Sequence, residues 1–535
     1  LELSKIFQSN MVIQHDRLVR VWGKGPMGET VTVSFAGQTA TSAAIGEDDL
    51  WEVTFARPFA ANPEGQQLKV TCSDGATITL DDVLVGNVWI AAGQSNMVMP
   101  VKGSAYGDTY DADETVADMA NHPQIRWMAM DIKYGQASTP EPYEVKGGAW
   151  GKAAGNLSAV AYHFAHDCVT AHPDIPVGIV GAYCNALSIG YWTPGGSKTL
   201  WNCQLAPITR LAVRGALWYQ GETDANGTEI RDHRWYGRDL LKPMVEAWRK
   251  AFGVEAADFP FYFVQIAGNN NASTFDDPSG DADNAYRAVR ESLFWARRNI
   301  ENCGMAVAWD CGRRMLDSEV GTSRIGEIVV HPKCKNVLGK RLALLALRNV
   351  YGDNVVAESP YWTGTETDGK GNIRVKFDMN GSAGLTTALK NWDDAAWPVK
   401  TTGEALKGFA VAGSDKVWHW ADAVIESADT IRLSSSDVAK PLYVRYCYRC
   451  NPVGGIANGY NEEMLPIAPI ATEYSWYADV RKEGSEDPEP PTPVTGEDWG
   501  WAKTQEVDGV RYAIVAFTNT EREISWPIPS DVSAV

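Results

Sequence analysis

The chain has 535 residues, a formal net charge of −19 from 67 acidic and 48 basic side chains, and a hydrophobic content of 44%. That length is too great for one core and points to three or four domains. The acidic surplus repels a phosphate backbone and so excludes nucleic acid as a partner, and no apolar run reaches the 18 residues that a membrane span requires.

Residues 1 to 86 alternate apolar and polar positions in short runs, such as Val31-Thr32-Val33-Ser34-Phe35, between turns rich in Gly, Pro and Asn. This pattern predicts an N-terminal β-domain. From 87 to 352 strands alternate with helices: strands over 177–183, 212–219, 260–267 and 304–310, and helices over 156–170, 235–252, 284–300 and 333–350. Repeated βα units imply a parallel sheet with helices on both faces, an α/β domain. Short strands return over 353–475, including Ile373–Phe377 and Leu442–Tyr446, as a C-terminal β-domain. Residues 476–535 then read as an acidic, Pro-rich linker and a partial β module containing the strand Val510–Phe517.

The run Val88-Trp89-Ile90-Ala91-Ala92 leads into Gly93-Gln94-Ser95-Asn96-Met97. It sets a hydroxyl at the C-terminal end of a buried strand, where open α/β sheets bind ligands. A serine there becomes a nucleophile once a base takes its proton. Of the eight histidines, His15 and His419 fall in the flanking β-domains, and His122, His163, His166, His172 and His233 lie away from the end of a strand. His331 follows the last strand of the α/β domain and precedes Pro332, a residue that favours the first turn of a helix.

These blocks, with Leu217-Trp218-Tyr219-Gln220-Gly221-Glu222 and His331-Pro332-Lys333-Cys334-Lys335, resemble in content and order the sialate O-acetylesterase family of SGNH hydrolases, over roughly residues 5 to 475. The resemblance implies an SGNH-type three-layer α/β/α domain flanked by N-terminal and C-terminal β-sandwich-like domains. It also implies a serine esterase that removes O-acetyl groups from carbohydrate. Ser95 is then the nucleophile and His331 the base. The backbone N–H groups of Ser95 and Asn185 and the side-chain amide of Gln220 make the oxyanion hole.

Two positions depart from the family. Val329 stands two residues before His331, where relatives carry an aspartate, so that orientation of the imidazole falls to Glu222, Glu327, a backbone carbonyl or water. Asn185 and Ala186 stand where relatives have paired glycines. Asparagine is the least costly replacement if that backbone needs a positive φ. These departures keep open a catalytically impaired, carbohydrate-binding alternative.

The expected substrate is O-acetylated sialic acid, with acetylxylan or another O-acetylated polysaccharide as the alternative. No cofactor or metal is expected: Cys447 and Cys450 have a CxxC spacing without a second pair, and the acidic run at 276–283 does not complete a calcium loop. Nine scattered cysteines do not make a small disulfide scaffold, and the 21 Trp and 20 Tyr suit sugar stacking as well as core filling. A chain that begins at Leu1 fits a protein whose signal peptide has been removed. The expected location is therefore secreted, periplasmic or at the cell surface.

Overall fold

The computed structural model describes residues 1–130, 145, 147–195, 200–225, 233–268, 277–279, 285–312, 330–390, 395–449 and 458–473, together with the backbone of a hairpin at 503–507 and 510–514. Glu327, Val329, Cys450, the extended linker and most of the acidic run at 276–283 lie outside the described residues.

The central sheet is built from β1 (Thr77–Gly93), β2 (Ile125–Ala129), β3 (Val177–Tyr183), β4 (Gly215–Tyr219), β5 (Phe261–Val264) and β6 (Cys303–Ala306). Their order across the sheet is β2-β3-β1-β4-β5-β6, every neighbouring pair is parallel, and Gly151–Lys152 adds a short antiparallel edge beside β2. All residues of β3, β4, β5 and β6 are buried, as in a sheet covered by helices on both faces. This is the expected three-layer α/β/α arrangement. β1 and β4 lie side by side, yet the chain leaves β1 for β2 on one side and β4 for β5 on the other. Such a switch point opens a crevice at the C-terminal ends of the strands.

β1 belongs to two layers. Its first part pairs antiparallel with Asn62–Cys72, Leu84–Gly86 pair with Val12–Gln14, and its last residues pair with β3 and β4. The expected boundary at residue 86 therefore falls within one continuous strand. A further three-stranded sheet, Glu2–Leu3 with Arg20–Lys24 and Leu50–Thr54, completes the N-terminal β region.

Among the described residues the α-helices are α1 (Ser95–Val98), α2 (Ala112–Asp118), α3 (Ala159–Ala171), α4 (Glu222–Ala225), α5 (Lys242–Phe252), α6 (Ala285–Asn299) and α7 (Lys335–Ala346). The Ser158 side chain caps α3 by accepting from Ala161 N–H at 3.3 Å. α7 lies against α3 at Gly339, where an added Cβ would come within 2.5 Å of His163 Cβ and 2.9 Å of the Val160 carbonyl. Any side chain at 339 would force the two helices apart.

Between Tyr361 and Ala471 three small antiparallel sheets form the C-terminal β region. It is tied to the α/β domain through buried groups. Arg341 makes a bidentate pair with Asp310 at 2.6 Å on each oxygen, Tyr460 donates to Asp310 at 3.0 Å, and Trp309 donates to the Ile467 carbonyl at 2.8 Å. Residues from Asp479 onward form a separate unit, within which Lys503–Val507 and Val510–Ile514 pair as a hairpin.

Candidate active site

Gly93 on β1 stands level with Tyr183 on β3 and Tyr219 on β4, so three strands end side by side. Gly93 has φ 134°, and a Cβ there would meet the Tyr219 carbonyl oxygen at 2.2 Å. Only glycine allows this approach. Beyond it the chain turns at once into α1, with Met97 N–H and Val98 N–H bonded to the Gln94 carbonyl at 2.7 and 2.9 Å. Ser95 is thus the first residue of a one-turn helix, whose opening N–H groups have no acceptor in a preceding turn.

The three strand ends are held together by hydrogen bonds. Gln94 N–H donates to the Tyr219 carbonyl and Cys184 N–H to the Gly93 carbonyl, each at 3.0 Å. Gln94 Oε1 accepts from Gln220 Nε2 at 3.0 Å and from Thr223 N–H at 3.1 Å. Gln220 Nε2 also donates to the Leu187 carbonyl at 3.1 Å and to Asp224 Oδ2, while its Oε1 accepts from the Tyr236 hydroxyl. Asp224 in turn accepts from Ile189 N–H at 2.9 Å. Burial raises the Asp224 carboxyl to about 6 against the pull of these bonds.

This network bears on the oxyanion role expected of Gln220. An amide nitrogen has two protons, and here three protein acceptors surround it in a fully buried position. In this arrangement its donors join the loops, which gives Gln220 a positioning role. Asn185 is exposed in the turn after β3. The positive φ expected of it belongs to Ala186, at 57°. The backbone strain therefore falls on a residue with a Cβ and no side-chain compensation.

His331 lies in the segment before α7. The sequence leads one to expect Pro332 in the first helical turn, but the helix opens at Lys335 with Cys334 as its cap, and His331 sits in the turn that precedes it. Asn96, the residue after Ser95, joins this segment to the strand ends. Its Nδ2 donates to the Val330 carbonyl at 2.9 Å and to Glu222 Oε1 at 2.6 Å, and its Oδ1 accepts from Lys335 Nζ at 2.5 Å.

Ser95, His331, Glu222 and Lys335 are all buried. Burial raises the Glu222 carboxyl from an ordinary 4.5 to about 7, although Asn96 and Lys335 oppose the shift. Burial likewise lowers the Lys335 amine to about 8, opposed by the neighbouring Cys334, Glu222 and Cys311. Of the two carboxylates considered for orienting the histidine, Glu222 reaches its segment through Asn96, and Glu327 lies outside the described residues.

One contact was not anticipated. The Tyr106 ring stacks on the His331 imidazole with centroids 3.6 Å apart and planes 9° from parallel. Tyr106 comes from the loop between α1 and α2, which also bonds to the histidine segment through Tyr110 N–H to the Lys333 carbonyl at 3.4 Å. Nothing in the local sequence marks this tyrosine: it sits in a polar loop without periodicity, and its partner is more than 200 positions away.

With this geometry established, residues 85–308 match the family model described as carbohydrate esterase, sialic acid-specific acetylesterase. Among curated proteins, the chain is similar to the sialate O-acetylesterase of Homo sapiens, 25% identical over 402 residues that cover 66% of this chain and 72% of that protein. It is also similar to that of Mus musculus, 24% identical over 541 residues covering 85% and 91%. Among solved structures, a carbohydrate acetylesterase from Xanthomonas citri superposes with a TM-score of 0.72 at 29% identity, covering 88% of this chain and 99% of that one.

Proposed function

Through residues 85–308 the chain belongs to the sialic acid-specific acetylesterase family of carbohydrate esterases, and from that premise we propose that it hydrolyses O-acetyl esters of a sugar by a Ser95–His331 mechanism. Ser95 Oγ attacks the acetyl carbonyl while His331 takes its proton. The carbonyl oxygen becomes an oxyanion held by the Ser95 and Asn185 N–H groups. The intermediate collapses as His331 gives the proton to the departing sugar oxygen, leaving acetyl-Ser95. Water, deprotonated by His331, then attacks the acyl carbon, and its collapse releases acetate and returns the proton to Ser95.

The observation that carries this reading is the position of Asn96. It follows the proposed nucleophile in the chain, and one amide nitrogen bonds both the residue before His331 and the Glu222 carboxyl. Nucleophile and base therefore share one buried bracket. Where relatives carry an aspartate this chain has Val329, and the Tyr106 stack and the Glu222–Asn96 bracket take over the orientation of the imidazole.

O-acetylated sialic acid is the substrate most in keeping with the curated relatives' names, with acetylated xylan as the alternative. An extracytoplasmic location belongs to the same reading, supported by the substrate class. Release of acetate should be measured from O-acetylated sialic acid, acetylated xylan and a chromogenic acetyl ester. Turnover of all three or of the sugar esters is expected, with the highest kcat/KM on the sialate. A second reading, a catalytically impaired carbohydrate binder, rests on Val329 and on the strained Ala186. Sugar binding without acetate release from any of the three would establish it.

A further inference from the structure

At the far end of α2, away from the strand ends, three side chains converge on one point. Asp118 is the last residue of α2, His122 follows the 3-10 turn Met119–Asn121, and His166 projects from the middle of α3. His122 Nε2 lies 3.1 Å and His166 Nε2 3.3 Å from the same oxygen, Asp118 Oδ2, and the three ligand atoms all fall within 4.8 Å of one another. We propose that Asp118, His122 and His166 form a binding site for a divalent transition metal of the Zn2+ class.

Several features favour a metal over a pair of ordinary ion pairs. Bonds of about 2.0 to 2.1 Å in a tetrahedral shell place neighbouring ligand atoms about 3.3 Å apart, close to the two separations here. Two imidazoles directed at one carboxylate oxygen, with rings 4.7 Å apart, would repel each other if both were protonated. A single cation in place of both protons removes that conflict.

The surrounding groups suit the same role. His166 Nδ1 faces Asp167 Oδ1 at 2.9 Å, which directs the Nε2 lone pair toward the site in the carboxylate–histidine–metal manner. Asp118 Oδ1 is engaged by Asn121 Nδ2 at 2.9 Å, leaving Oδ2 as the ligand atom. A His2Asp donor set suits Zn2+ and its neighbours rather than Mg2+ or Ca2+. Side-chain exposures of 42% for Asp118, 18% for His122 and 28% for His166 leave the fourth position to water.

The ion would fasten the end of α2 to α3, and α2 follows directly on the loop carrying Tyr106. This inference stands apart from the esterase reading, because its test measures metal and not turnover. Tag-free, chelator-treated full-length protein is titrated calorimetrically with ZnCl2 and, separately, with CoCl2 while the visible spectrum is followed.

One saturable equivalent is expected, with a tetrahedral Co2+ ligand-field spectrum lacking a thiolate charge-transfer band. His122→Ala and His166→Ala should each abolish binding at micromolar metal. Asp167→Asn should weaken it by about 10- to 100-fold. Zn2+ should raise the unfolding midpoint of the wild type and not of the histidine variants, whose metal-free midpoints report that they fold. Absence of a saturable equivalent, binding unchanged in both histidine variants, or a thiolate band assigning the ion to cysteine would each overturn the proposal.

Discussion

The loops that leave β1, β3 and β4 are bonded to one another within a few residues of each strand end, whereas His331 stands 25 positions after Ala306, the last residue of β6. The first region is positioned by sheet register, so that once Gly93 is level with Tyr183 and Tyr219 its loops have little freedom. Among the described residues the second is held by tertiary contacts that include the Tyr106 stack, Tyr110 to Lys333, and Asn96 to Val330 and Lys335. With the proposed nucleophile on the first region and the proposed base on the second, the bracket at Asn96 is the point where chemistry and stability meet.

The largest effect is expected on the rigid half. Ser95→Ala should lower kcat/KM by on the order of 10^4-fold or more, with an unfolding midpoint close to that of the wild type. Next is Glu222→Gln. Because burial raises this carboxyl from 4.5 to about 7, the stability it confers is fully present below pH 4.5 and is lost as pH rises through about 7. A shift of that size corresponds to about 3 kcal/mol. Urea unfolding at pH 5 and pH 8 should therefore show a smaller fall in stability for the variant than for the wild type.

Gln220→Ala separates positioning from catalysis. Loss of the central stitch should cost about 2 kcal/mol in urea unfolding. A fall in kcat of about 10^2-fold or more with unchanged stability would instead identify Gln220 as an oxyanion donor. On the docked half, Tyr106→Ala removes an aromatic stack worth about 1 kcal/mol, so urea unfolding should show a loss of about that size, and kcat should fall about fivefold as the imidazole loses its orientation. The smallest effect is expected at Ala186, where Ala186→Gly relieves a φ of 57° and should stabilise the protein by about 1 kcal/mol or less, read as a higher unfolding midpoint.

The same division between the two halves separates what could be read in the sequence from what could not. Buried parallel strands are continuous apolar runs, so Val177–Tyr183 was legible to the residue and the end of β1 stood out ahead of Gly93. β2 was missed because Ile125-Arg126-Trp127-Met128-Ala129 is short and carries an arginine, whose buried guanidinium is satisfied by Asp82 and the Asn10 carbonyl. α2 was missed because Ala112–Asp118 is mostly polar and lacks a periodic apolar face.

At the candidate site, strand ends and motif order point to Ser95, Glu222 and His331, since those signals are local. The committed donors of Gln220, the shift of the positive φ to Ala186, and the Tyr106 stack depend on partners far away in the chain. Local pattern carries no trace of them.

Whether Ser95 and His331 act as one unit across the two regions can be read from covalent labelling with a fluorophosphonate and mapping of the adduct by peptide mass spectrometry. A single adduct on Ser95 is expected, formed far more slowly in His331→Ala at the same pH. An adduct on another residue, no adduct at all, or undiminished labelling of Ser95 in His331→Ala would contradict it.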